Sequence, residues 1–296
     1  METIDTETTS METTDYSFMK NYNFNAAEAY ETIDKNWTMW AKDVHAQKFV
    51  IGISGGKDST VAAWLATKIF GRENVIGVLM PNGLPQADND DTRLSECICS
   101  VLGIKTIYID INKAFISIAE QAFNEFFDID TKEADCEAEY ACSPARINLA
   151  PRLRMAALFC VAQQCKNAVV ICTDNLSESV LGYSTFGGDG FGCYAPLKNL
   201  TVTEVKKLAE FIGVPEFLYA KTPSDGLQDK TDEERFGFTY AAVDKCIRTY
   251  SDNEPSEMHL LRQRIIKYFY LKNKFKTDIV NVPGPAFPYP NFIKNM

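Results

Sequence analysis

Ile51-Gly52-Ile53-Ser54-Gly55-Gly56-Lys57-Asp58-Ser59-Thr60 is the stretch on which the reading of this chain turns. It closes an apolar, β-branched run over residues 48–53 and opens a helix-patterned segment over 59–70. That pattern predicts a buried strand turning into a helix through a pair of glycines. Gly55 and Gly56 permit positive φ and let backbone come close to a ligand. A helix starting near Asp58 offers unsatisfied N–H groups and the positive end of its dipole. Ser54, Ser59 and Thr60 add hydroxyl donors, so the turn reads as a cradle for a pyrophosphate. The G-x-x-x-x-G-K-[ST] spacing of a Walker loop is absent. Asp58 would repel phosphate there unless it holds a metal ion. The plainer alternative is an ordinary glycine turn with an Asp or Ser cap. Two hydroxyls, two glycines and an acid falling together after a buried strand favour the cradle.

Outward from this turn the chain alternates. Residues 25–45 have helical spacing, with a stripe of Ala26, Tyr30, Ile33, Trp37 and Trp40 that suits a core-facing helix or, second, a dimer-interface helix. Strands are expected at 75–80, 105–110 and 168–172, and helices at 59–70, 90–102, 113–127 and 145–164. This βαβαβα…αβ order argues an α/β fold with a doubly wound parallel sheet and ligands at the C-terminal strand ends. The C-terminal part reads as helical: 201–212 stopped by Gly213 and Pro215, then 238–250 and 255–274. Residues 222–234 read as polar and mobile, Gly187–Gly192 as a tight loop, and the Pro-rich tail as an extended strap. The Thr- and Glu-rich residues 1–18 read as a disordered leader, leaving 19–296 as a single domain.

Acidic residues outnumber basic ones 40 to 30 over 296 residues, for a net charge of −10. Such a surface repels polyphosphate backbones at long range, which argues against a nucleic-acid partner. No apolar run has the length of a membrane span. Nine cysteines, none at CxxC spacing, argue against a zinc or iron–sulfur site and fit a reduced, cytoplasmic protein. Cys160, Cys165 and Cys172 read as small core residues. His45 and His259, in segments of helical pattern without motif context, read as surface or interface residues.

SGGKDS resembles the SGGxDS loop of the N-type ATP pyrophosphatases, which cleave ATP between its α- and β-phosphates through an adenylated intermediate. The loop alone does not choose among them, but further segments resemble the NAD synthetase family in order. Met80-Pro81-Asn82-Gly83 with Gln86 resembles its adenosine loop. Asn148 to Met155 resembles its N-x-x-A-R-x-R-M helix start, with Pro151 in place of Ala. Cys172-Thr173-Asp174-Asn175-Leu176-Ser177-Glu178 resembles G-T-x-N-x-S-E, with Cys172 in place of Gly. Gly182–Gly192 with Ala195-Pro196-Leu197 resembles the G-D-G…P-L region, Asp189 matching its acid. Residues 218–224 resemble L-Y-x-K-x-P-[ST], and 232–244 resemble D-E-x-x-[LF]-G-x-x-Y-x-x-x-D.

The resemblance implies a Rossmann-like, adenine nucleotide alpha hydrolase-like sheet with a helical C-terminal part. It implies amidation of deamido-NAD by ammonia, with ATP as co-substrate and Mg²⁺ as cofactor, in a homodimer. Asp58 and Glu178 would be the catalytic, metal-holding pair. ATP would meet Ser54, Gly55, Gly56, Lys57, Asp58, Ser59, Gln86, Arg154, Thr173 and Ser224. Deamido-NAD would meet Arg152, Asp189 and Lys198. With about fifty residues before Ser54, no glutaminase domain is expected ahead of it. Phe186 and Val202 stand where many members carry lysine, and Phe275-Lys276-Thr277 replaces the H-K-R cluster of bacterial members. Lys198 stands close enough in sequence to compensate. Two rivals stay open: another ATP pyrophosphatase, such as a tRNA-modifying one, and a nucleotide-binding relative that has lost catalysis.

Overall fold

A computed structural model describes residues 24–83, 87–126, 144–220, 233, 237–248 and 256–279. Four parallel strands form the sheet: β1 (Lys48–Gly52), β2 (Val75–Leu79), β3 (Lys105–Tyr108) and β4 (Ala168–Val170), in the order β3-β2-β1-β4. Helices separate them: α1 (Ala26–Asp43) before β1, α2 (Lys57–Phe70) after it, α3 (Ala87–Leu102) and α4 (Asn112–Phe126) around β3. The chain then runs through α5 (Pro144–Ile147) and α6 (Leu149–Gln164) into β4. Beyond the sheet lie α7 (Leu176–Leu181), α8 (Val202–Ile212), α9 (Glu216–Tyr219), α10 (Tyr240–Arg248) and α11 (Ser256–Arg264). A π-helical turn, Ile265–Tyr270, leads into α12 (Leu271–Ile279).

The period of two along the strands sorts their side chains onto two faces. Phe49, Ile51, Val75 and Leu79 meet Trp37 of α1, Val61 and Leu65 of α2, Ile98 of α3 and Val205 of α8. Val50, Ile76 and Val78 point the other way, onto Met155, Leu158 and Val161 of α6. Both faces are covered, so the central strands read as apolar runs, whereas the edge strand β3 exposes Lys105, Thr106 and Tyr108. A second apolar cluster joins Val180 and Leu181 of α7 to Phe238, Tyr240, Val243 and Ile247 around α10. That cluster roots the helical C-terminal part beside the sheet.

Strand order decides where a ligand fits. After β1 the chain builds outward through β2 and β3, then returns to place β4 on the other flank of β1. The loops leaving β1 and β4 therefore part in opposite directions and open a crevice at their C-terminal ends.

Several expectations are corrected. The helix over 145–164 is two pieces, broken at Asn148. Pro151 has no N–H to donate back to residue 147, so the longer helix restarts with Pro151 in its first turn. Cys160 is exposed on the outer side of α6, and Cys165, just past the end of that helix, is half-buried against the sheet-face cluster; only Cys172 of the three is buried. His45 lies past the end of α1 with φ 56°, not in the helix. The leader, the 222–234 segment apart from Glu233, and the tail lie outside the described residues.

Candidate active site

The turn between β1 and α2 is shaped by its own hydroxyls. Ser59 Oγ accepts the Ser54 N–H at 3.2 Å and donates to the Gly56 carbonyl at 3.1 Å. Ser54 Oγ stands 3.1 Å from Ser59 Oγ and accepts the Gly56 N–H at 3.2 Å. Gly55 has φ 79°, and a Cβ there would lie 2.9 Å from the Asp91 carbonyl oxygen, so both conformation and space require glycine. Gly56 is the N-cap of α2 and no side chain caps its first turn. The first N–H groups of a fourteen-residue helix thus face the crevice as an anion site.

Acids converge on the same place from β4. Asn175 Nδ2 donates to Asp58 Oδ1 at 3.2 Å. Asn175 also caps α7: its Oδ1 accepts the Glu178 N–H at 3.0 Å, and its own N–H donates to Glu178 Oε2 at 3.2 Å. One asparagine, 117 residues from Asp58, thereby ties the acid of the first strand's turn to the acid after the fourth strand. Lys57 Nζ pairs with Asp58 Oδ2 at 2.7 Å, its side chain only 5% exposed. Loss of solvent, and next the Asp58 carboxylate, push Glu178 up to about 8. Asp174 is driven well above the usual carboxylate range by loss of solvent and then by Asp189, Glu178 and Asp58.

These carboxylates repel one another, and a small divalent cation is the complement the arrangement calls for. Among the described residues no group of three or more His, Cys, Asp or Glu side chains is arranged to hold a metal ion unaided. Two carboxylates suffice for Mg²⁺ when substrate phosphate oxygens and water complete its shell. The donor set at Asp58 and Glu178 fits that ion.

Beside the acid pair lies a cavity of about 50 Å³, lined among others by Cys172, Asp174, Thr185, Phe186, Lys198 and Lys276. Burial pulls the ammonium groups of Lys198 and Lys276 below the usual lysine range. The G-D-G loop forms one wall. There Asp189 Oδ1 accepts the Thr185 N–H at 2.6 Å, and its carbonyl accepts the Cys172 thiol at 3.7 Å.

The two arginines of α6 part company, as residues two apart on a helix do. Arg154 Nε donates to the Met80 carbonyl at 3.1 Å, at the end of β2. Arg152 Nε donates to the Phe186 carbonyl at 3.1 Å, at the cavity wall. Arg154 thus reaches the C-terminal end of β2, beside the 54–59 turn that leaves β1, Thr173 follows β4, and Arg152, Asp189 and Lys198 lie around the cavity. Gln86 and Ser224 lie outside the described residues. Val202, 3% exposed, packs into the C-terminal core, so its side chain faces no ligand, whereas Lys198 does line the cavity.

Sequence reasoning gave Asn175 no role, although Asn followed three residues later by Glu is a capping-box signal. It also missed Lys276, read only as the remnant of a replaced cluster. Nothing local marks that lysine. Its Nζ reaches the Gly182 and Ser184 carbonyls, at 2.8 and 3.0 Å, only because α12 docks on the end of α7.

Comparison with known proteins identifies the family. The family described as NAD synthase matches residues 30–279. The NH(3)-dependent NAD(+) synthetase of Methanococcus aeolicus is 35% identical over 216 residues, 73% of this chain and 79% of that protein. The protein of the same name from Finegoldia magna is 33% identical over 251 residues, 83% of this chain and 95% of its own length. Among solved structures, NMN synthetase from Francisella tularensis superposes with TM-score 0.71 and 29% identity, covering 91% of this chain and 100% of that one. Likeness of this extent settles descent: this chain belongs to the NAD synthase family of ATP-using carbon–nitrogen ligases.

Proposed function

We propose that this chain converts deamido-NAD to NAD with ammonia, spending ATP. The nicotinate carboxylate attacks the α-phosphate of ATP and pyrophosphate leaves. Ammonia then attacks the mixed anhydride, giving the amide and AMP. A free carboxylate has no usable leaving group for amide formation; AMP supplies one. The observation that carries the reading is Asn175 joining Asp58 to Glu178 across the mouth of the pyrophosphate turn.

In this reading the 54–59 turn and the first N–H groups of α2 receive the departing pyrophosphate. Arg154 and Thr173, with Gln86 and Ser224, bind ATP. Asp58 and Glu178 hold Mg²⁺, which when bound neutralises phosphate charge. Arg152, Asp189 and Lys198 orient the acceptor so that its carboxylate faces the α-phosphate. The names of the relatives support ammonia as the nitrogen source, since they are NH(3)-dependent enzymes. A homodimer and a cytoplasmic setting belong to the same reading; the free thiols among the described residues support a reducing compartment.

The likeness to an NMN synthetase, over the whole of that chain, favours a second acceptor, nicotinate mononucleotide. One experiment tests both. The purified chain is mixed with ATP, MgCl₂, ammonium and either acceptor, and NAD, NMN and AMP are separated by chromatography. NAD with stoichiometric AMP is the expected result. A kcat/KM higher on the mononucleotide would move the assignment to the second reading, and no AMP with either acceptor would end both.

A further inference from the structure

We propose that helix α10 is the strut that sets the two metal-facing carboxylates, with Tyr240 steadying Lys57 and hence Asp58, and Asp244 steadying Ser177 and hence Glu178. This rests on the reading that Asp58 and Glu178 hold a divalent cation.

Tyr240 and Asp244 are four residues apart and so share one face of α10. Both are buried, at 3% and 2% exposure. The Lys57 ammonium lies 5.7 Å from the centroid of the Tyr240 ring while pairing with Asp58 Oδ2 at 2.7 Å. A desolvated ammonium over an aromatic face is held by the ring quadrupole. The ring therefore fixes from behind the cation that fixes Asp58.

At the other end of the same face, Asp244 Oδ1 accepts the Ser177 hydroxyl at 2.5 Å. Its Oδ2 accepts the Thr203 N–H at 2.7 Å and the Thr203 hydroxyl at 2.6 Å. Ser177 Oγ in turn accepts the Val202 N–H at 3.1 Å. Ser177 immediately precedes Glu178 in the first turn of α7, a helix of six residues. So short a helix has little stability of its own and takes its orientation from what grips it. A Leu at position 244 would fill space as well as a carboxylate does. Burying an acid is costly unless donors meet it, and here three donors from two other helices do. The result is a rigid link between the first turn of α7, the start of α8 and α10, with Glu178 one residue from the grip. Neither Tyr240 nor Asp244 reaches a reacting atom; both are positioning residues.

The test is the affinity of the full chain for Mn²⁺ in the presence of α,β-methylene ATP, read as the free Mn²⁺ EPR signal lost beyond what the nucleotide alone removes, alongside thermal midpoint, kcat and KM. Asp244→Asn and Tyr240→Leu are expected to melt within a few degrees of the parent yet bind Mn²⁺ about 10- to 100-fold more weakly, the range for partners that orient metal ligands. Turnover should fall with Mn²⁺ affinity, KM for ammonium should hold, and Tyr240→Phe should recover most of what Tyr240→Leu loses. Folded variants that bind Mn²⁺ as tightly as the parent would overturn the proposal. Should Asp244→Asn fail to fold, Ser177→Ala decides instead, since it cuts the same link from the α7 side. A parent chain that binds Mn²⁺ with the ATP analogue but amidates neither acceptor would defeat the acceptor reading and leave the strut standing. A parent that binds no Mn²⁺ there would defeat the metal reading and the strut with it.

Discussion

Asp58 is unusual among the residues of its turn because it brings negative charge to the place proposed to receive pyrophosphate. Two neighbours explain how it is tolerated: Lys57 pairs with one carboxylate oxygen and Asn175 donates to the other. In the proposed reaction the pair Asp58–Glu178 serves charge that grows as pyrophosphate leaves, so losing either acid should affect turnover more than binding of the acceptor. Asp58→Ala and Glu178→Ala are each expected to lower kcat by about 100-fold or more with the circular dichroism spectrum unchanged. Near-normal rates in both would remove them from the mechanism. A second prediction concerns Asp244, which loss of solvent pushes up to about 6 against donors that pull it down. Its folded value exceeds its unfolded one, so the native state holds the proton more tightly between about pH 4 and 6. The stability this group contributes is complete below the lower value and fades as pH rises through the upper one. The shift corresponds to something on the order of 3 kcal/mol. Urea unfolding across that window should show Asp244→Asn, which cannot titrate, losing less stability than the parent as pH rises.

Among the elements, α8 is the keystone of the C-terminal part. Thr201 and Glu204 close a capping box at its start, and Gly213 in the left-handed region ends it. Glu204, 1% exposed, also receives both arms of Arg248 from the far end of α10, at 2.7 and 2.8 Å. Arg248 further donates to the Asn199 carbonyl at 2.6 Å. A buried acid stripped of its partner is costly, so Arg248→Met should destabilise the protein by about 3–5 kcal/mol, read by denaturant titration. A loss below 1 kcal/mol would mean that the cap alone satisfies Glu204. Much of this was legible in the sequence: Thr-x-x-Glu before an apolar run, with glycine after it, marks α8 from end to end. The break at Asn148 was not, because Ala, Leu and Met on either side are strong helix formers and only the amide missing at Pro151 decides the matter. Tyr240 and Asp244 were visible only as motif letters; that they face Lys57 and Ser177 depends on how α10 lies.

At the scale of the whole molecule, one sheet edge organises everything. The reversal of strand order at β1 and β4 brings turns more than a hundred residues apart to one crevice, and the aromatic group Trp37, Phe49 and Tyr194 packs the core beneath. A ligand seated there touches both halves of the chain, so it should resist global unfolding. With ATP and Mg²⁺ at about 100 times their dissociation constant, the gain should be about 2.7 kcal/mol, seen as a raised thermal midpoint. In Glu178→Ala the same additions should raise it much less. An equal rise in both proteins would place the nucleotide elsewhere.

Periodicity and punctuation sufficed for the α/β class, the four strands, most of the longer helices and the turn of Ser54 to Ser59, since these depend on alternation, capping and glycine freedom within a few residues; the short helices α7, α9 and, as a separate piece, α5 escaped them. The family's motifs in order picked out the two acids as candidates. Proximity was the tertiary structure's alone: Asn175 between Asp58 and Glu178, Lys276 at the cavity, Val202 turned into the core, α10 behind both carboxylates. Each of these joins residues far apart in the chain. Such contacts follow from how helices dock on one another, which no local pattern encodes.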